Sequence, residues 1–242
     1  MPPMNRLLPF LHRPVWLSLG ITALAGCTAG QFPTLTIYET PNAFVRLQTD
    51  PQAGQSAGHS HPAQVPVEQI EAVLRGIIVE EPLTRLPLYD DLTVPRRHQA
   101  FNEEEIAFWA PLLSLALQKA TQEEVVTFYQ SRRVSGVKRE VTSGGLFLAG
   151  TDLHVILSNY RSNTHSAADI GTADTQDDRL TPLRSLAPQK GTLRFEPAEF
   201  QRPAAPQGAG RLFHWDRREL IIQVGGLPQP VPSEPSSVRP VR

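Results

Sequence analysis

Cys27 is the only cysteine in the 242-residue chain, and this limits what the chain can fold into. A single thiol supports neither a disulfide framework nor a site built from several zinc-bound thiolates. The folded part must therefore stand on the burial of apolar side chains alone. The longest self-contained stretch, residues 66–227, is of a size that supports one such core.

The residues ahead of Cys27 have their own order. Arg6 and Arg13 are the only Lys, Arg, Asp or Glu side chains before it. An apolar run follows, Val15-Trp-Leu-Ser-Leu-Gly-Ile-Thr-Ala-Leu-Ala25. It is about half of the roughly 20 apolar residues that a helix needs to cross a bilayer. A basic start, a short apolar core and small residues at its end make an export signal. Leu24-Ala25-Gly26-Cys27 resembles the lipobox of bacterial lipoproteins, a resemblance confined to the first 27 residues.

That resemblance implies cleavage before Cys27, a diacylglyceryl group on its sulfur and often an acyl group on its new amino terminus. Two or more acyl chains hold a protein on a membrane stably where one does so marginally. It also removes Cys27 as a nucleophile. Thr28 follows the cysteine, where Asp in enterobacterial lipoproteins goes with inner-membrane retention, so the expectation is an outer-membrane anchor facing the periplasm. Losing residues 1–26 takes away two arginines and no acid, moving the net charge from −1 to −3. A near-balanced surface lacks the basic footprint of a nucleic-acid partner.

Behind the anchor, residues 27–65 read as a tether. It carries two β-rich runs, Thr34–Tyr38 and Ala43–Leu47, which form a hairpin or join the main sheet, and a polar loop over 50–64. In that loop His59 and His61 could reach one metal ion, with His98 or Asp50 completing a site, but no second half of a ligand pattern is visible. The plainer expectation is two solvated histidines.

Ile70, Val73, Leu74 and Ile77 are spaced for one helical face, which predicts a helix to about Arg75 and a strand over 77–79. The next helix begins at Asn102, where Glu105 completes a capping box and Phe101 can staple to Ile106. It continues to Ala120, with Pro111 able to kink it. Thr121 and Glu124 repeat the capping pattern and predict another helix, with Val125, Val126, Phe128 and Tyr129 as its apolar side.

A β-meander follows: strands at Val137–Thr142, Leu146–Leu148 and Leu153–Tyr160, with turns at Ser143-Gly144-Gly145 and Ala149–Asp152. Ser162–Asp178 reads as a solvated acidic excursion. A strand at Gly191–Glu196 and a last hairpin, Arg211–Trp215 with Leu220–Val224, complete a single α+β domain over 66–227. Its antiparallel sheet is packed by two or three helices. Residues 228–242 are a proline-rich tail.

No motif commits this domain to a reaction, a cofactor or a metal. His154 lies on the mixed face of its strand beside a glycine-rich turn, with no nucleophile placed near it. The expectation is thus a lipid-anchored envelope protein that binds or scaffolds another envelope component. The alternative is an anchored hydrolase or metal-dependent enzyme using His154 or the His59/His61 pair. A carrier with the mixed sheet face as floor is a third possibility. In cells fed a palmitate analogue the wild-type chain should be labelled and Cys27→Ala should not; equal labelling of both would sink the lipoprotein reading.

Overall fold

The computed structural model describes residues 33–51, 53, 58–81, 95–135, 138–165, 178–187, 189, 191–203 and 218–227. The expected export signal with Cys27, the expected Arg211–Trp215 arm and the proline-rich tail lie outside them. The described residues form two antiparallel sheets and two helices, so the α+β class holds.

The strands of the larger sheet are β1 (Pro33–Glu39), β2 (Ala43–Thr49), β5 (Glu124–Arg133), β6 (Lys138–Ala149), β7 (Asp152–His165), β9 (Gln201–Arg202) and β10 (Glu219–Gln223), in the order β1-β2-β5-β6-β7-β10-β9. The β1–β2 hairpin is thus one side of the main sheet, with β2 paired to β5 from Ala43↔Gln130 to Thr49↔Glu124. Helix α1 (Val67–Gly76) leads into β3 (Ile77–Glu80), as its spacing predicted. With β4 (Arg97–Gln99) and β8 (Thr192–Phe195), β3 makes a three-stranded sheet in which β3 is central. Helix α2 (Glu103–Lys119) starts on the expected capping box, Asn102 Oδ1 accepting from Glu105 N–H at 2.8 Å and Glu105 Oε2 from Asn102 N–H at 3.0 Å.

The expectations for β5 and for the centre of β6 are corrected. The helix expected from Thr121 is strand β5. The reach-back bond of a capping box does form, with Glu124 Oε2 accepting from Thr121 N–H at 2.8 Å. But Val125-Val126-Thr127-Phe128-Tyr129 are β-branched or aromatic, crowd a helix and suit a pleat. Paired on both sides, to β2 and β6, they extend. Ser143-Gly144-Gly145 is likewise no turn, since β6 runs through it. A Cβ on Gly144 would sit 1.9 Å from the Ile156 carbonyl oxygen of β7, so glycine here permits close strand contact.

One face of the large sheet packs on the helices. Val45, Leu47, Val126, Phe128, Leu146, Val155, Leu157, Leu220 and Ile222 share a buried cluster with Ile70, Val73 and Leu74 of α1 and Trp109, Leu113 and Leu117 of α2. Successive side chains of a strand alternate between faces, so Phe44, Tyr129, Phe147, His154 and Ile156 point to the reverse face. Part of that face is covered by residues 182–187. Ser143 Oγ donates to Pro182 O at 2.8 Å, Ser158 Oγ to Leu183 O at 2.9 Å and Asn159 Nδ2 to Arg184 O at 2.7 Å.

Strand β7 continues to His165, further than expected, so Ser162–His165 is sheet and only 166–177 lies outside the described residues. Asp178 also departs from the solvated acidic reading. Its carboxylate accepts from Tyr129 Oη at 3.0 Å and Arg139 Nη2 at 2.8 Å. Burial beside that carboxylate pushes the Tyr129 phenol up to about 12.

Because the obstacle at Gly144 is backbone rather than a movable side chain, Gly144→Ala should cost at least about 2 kcal/mol, the range of overpacked cores. Comparing urea midpoints checks this, and an unchanged midpoint would refute the close-approach account.

Candidate functional site

On the reverse face, at the end where β6 outruns β5, the chain segment 58–61 takes the place of a neighbouring strand. Ser60 N–H donates to Leu148 O at 2.7 Å, and Leu148 N–H donates to His61 Nε2 at 3.0 Å. Gly150 N–H donates to Ser60 Oγ at 2.7 Å, and His59 N–H to Gln122 O at 2.8 Å. Gly58 makes this approach with φ +79, in the left-handed region that favours glycine.

These bonds hold both histidines of the loop inside the protein. His59 is 9% exposed and His61 3%, which corrects the expectation of two solvated side chains. Their backbone and ring partners were invisible because they lie far along the chain, at Gln122 and Leu148.

From this anchorage a row of side chains crosses the sheet. Asp50 Oδ2 accepts from His59 Nε2 at 3.1 Å. The His59 ring lies 4.2 Å from the Phe147 ring, and Phe147 stacks on His154 at 4.5 Å with 15° between planes. Phe147 and His154 are register partners on β6 and β7, which fixes their contact. His154 Nδ1 donates to Glu219 Oε1 at 2.7 Å. Glu219 stands opposite Ile156 in the β10–β7 ladder, so its carboxylate falls on the same face one step away. Next to the pair, Arg202 Nε approaches Asp152 at 3.7 Å.

The result is two imidazole–carboxylate pairs joined through one phenyl ring. The His154–Glu219 end is the more open, with side chains 17% and 21% exposed. A carboxylate on Nδ1 fixes the tautomer and leaves Nε2 as the basic atom in the neutral ring. That is the orientation of a general base. Among the described residues, however, no hydroxyl is hydrogen-bonded to His154 or His59.

His98 is not brought here. Its Nδ1 donates to Pro95 O at 2.8 Å, and its Nε2 lies 3.1 Å from Tyr160 Oη. Among the described residues no three His, Cys, Asp or Glu side chains are grouped to hold a metal ion. A cleft lined by Glu105, Gln130, Arg132, Glu140, Thr142 and Arg161 has a volume of about 20 Å³, the scale of a bound water rather than a ligand.

No protein-family model, curated protein or solved structure matches the chain. The row therefore rests on its own geometry. Sequence reasoning had picked out His59, His61, His154 and Asp50 but missed Phe147 and Glu219. Both carried a signal. Glu219, Ile221 and Gln223 alternate with Leu220, Ile222 and Val224, and Phe147 sits between two core-facing leucines, so each belongs to the face of His154.

His61 differs from its neighbours. Burial, with the nearby His59 imidazole adding to it, pushes its pKa from 6.5 down to about 4. The neutral ring is the form that can accept the Leu148 N–H. The unfolded chain takes up a proton near pH 6.5 that the folded chain refuses until about 4. Stability is thus fully present above 6.5 and is lost as pH falls from there toward 4, by about 3 kcal/mol in all. Urea unfolding at pH 7 and pH 4.5 should show His61→Phe losing most of that dependence relative to wild type.

Proposed function

We propose that the chain is a lipid-anchored protein of the bacterial envelope, held by acyl groups on Cys27 to the outer membrane and facing the periplasm. Its domain is a non-enzymatic binding or scaffolding component. The observation that carries the anchor is the short apolar run closed by Leu24-Ala25-Gly26-Cys27. The Phe147–His154–Glu219 end of the row is the surface that would meet an envelope protein. It offers a ring face, an imidazole and a carboxylate on rigid strands, at partial exposure.

What favours binding over catalysis is the state of the two imidazoles. Each packs against Phe147 and is tied to a carboxylate, and among the described residues neither is hydrogen-bonded to a hydroxyl that it could activate, as nucleophilic catalysis requires. The second reading, an anchored hydrolase, is supported by the 2.7 Å His154–Glu219 bond, which pairs a base with its orienting group.

Crosslinking in intact cells separates the two. Wild-type chain should return an envelope protein that His154→Ala and Phe147→Ala recover at least about tenfold less, the effect of a lost hot-spot side chain. Equal recovery by all three would defeat the assignment of this surface. Ester or amide hydrolysis by purified wild type, abolished in His154→Ala, would establish the enzyme instead.

A further inference from the structure

A surface helix normally turns a charged or polar face to water, and the middle of α2 has no charge on that face. Between Glu105 and Lys119 it carries no charged residue. Trp109, Leu113 and Leu117 are buried in the core. The outward positions are Ala107, Pro111, Leu115 and Gln118, which are exposed, with Phe108, Leu112 and Ser114 half-buried beside them. Leu115 is 43% exposed.

This face continues onto β1. Tyr38 meets Phe108 edge to face at 5.3 Å, which ties the far end of β1 to the first half of α2. At the near end, Thr34 Oγ1 donates to the Glu124 carboxylate, which also accepts from Thr121 N–H just beyond α2. Leu35 and Leu115 lie between these two ties, and Leu35 is 46% exposed. Two of the four exposed large apolar side chains of the described residues thus share one edge of the fold. The acidic triplet Glu103-Glu104-Glu105 sits at the other end of α2.

The position of this edge in the chain indicates what covers it. Pro33 follows Cys27 by six residues, and six residues span at most about 20 Å however they are arranged. Acyl groups on Cys27 fix that residue at the lipid headgroups. β1 is then tethered within about 20 Å of the bilayer surface, and the uncharged face of α2 is joined to it. Exposed apolar side chains held at that distance gain by entering the headgroup–acyl boundary.

We infer that the β1/α2 edge, through Leu35, Leu115 and the uncharged outer face of α2, is a membrane-docking surface that lies on the lipid bilayer. The inference rests on the Cys27 anchor proposed above. Docking would fix the orientation of the domain, where the lipid alone leaves it free to tumble on its tether.

The lipidated chain offers a direct test, because the sulfur of its single native cysteine is then blocked by the diacylglyceryl group. Leu115→Cys and Leu35→Cys each take one thiol-reactive, polarity-sensitive fluorophore. Leu180→Cys, just ahead of the segment that covers the reverse face, is the control, as Leu180 is 55% exposed. The chains are reconstituted in phosphatidylethanolamine–phosphatidylglycerol vesicles containing a nitroxide-labelled lipid.

The expected result is flotation with the vesicles, with loss of most fluorescence and a blue shift for the labels at 115 and 35 and neither change at 180. Flotation with water-like labels at 115 and 35 would overturn the docking and leave the anchor standing. Equal quenching at 180 would overturn it too. A blue shift at 115 that grows with protein concentration in detergent would assign the face to a second copy of the chain. Failure to float would overturn the anchor and the docking together.

Discussion

The backbone pairing of β5 with β2 on one side and β6 on the other is the interaction on which the rest of the structure depends. Without it the β1–β2 hairpin would be an isolated two-stranded ribbon, a unit only marginally stable in water. With it, one continuous surface forms, deep enough for α1 and α2 to bury a single core. The same pairing decides which residues face away from that core, because a strand's side chains alternate. Tyr129 and Thr127 of β5 are committed to the reverse face by the step that commits Phe128 and Val126 to the helices.

The reverse face is closed by polar rather than apolar contacts over part of its area. Ser143, Ser158 and Asn159 would each be costly to bury alone, and each is satisfied by a carbonyl of residues 182–184. Farther along the sheet, Arg139, Tyr129 and Asp178 close a charged network of the same kind. The Asp50–His59–Phe147–His154–Glu219 row occupies the end that this segment leaves partly open. Its imidazoles are held by strand register and ring stacking, so the row is rigid, which suits recognition as well as chemistry.

The two ends of α2 face different tasks. Its amino terminus is capped by its own side chains, and Glu103 pairs with Arg75 at 2.8 Å. Its middle is uncharged on both the core side and the outer side. Uncharged residues outside the core favour a covering surface, and under the anchor proposed for Cys27 the bilayer would be the surface within reach.

The capping box at Asn102, the amphipathic spacing of α1 and the strand after it were legible because each is local, written within a few consecutive residues. The lipobox resemblance depends on Leu24 to Cys27 alone, and no fold is needed to read it. What could not be read was set by partners far along the chain. The segment after Thr121 has a helix-start pattern and even makes its reach-back bond, yet pairing with β2 and β6 outweighs one turn of capping. Gly144-Gly145 has the composition of a turn, but the approach of β7 turns it into strand. His59 and His61 look like loop histidines until Gln122 and Leu148 hold them under the surface. The sequence by itself determined the α+β class and the starts of α1 and α2; only the tertiary structure decided the strand identity of Glu124–Arg133 and the His154–Glu219 pairing, because long-range register, unlike capping and periodicity, leaves no mark in neighbouring residues.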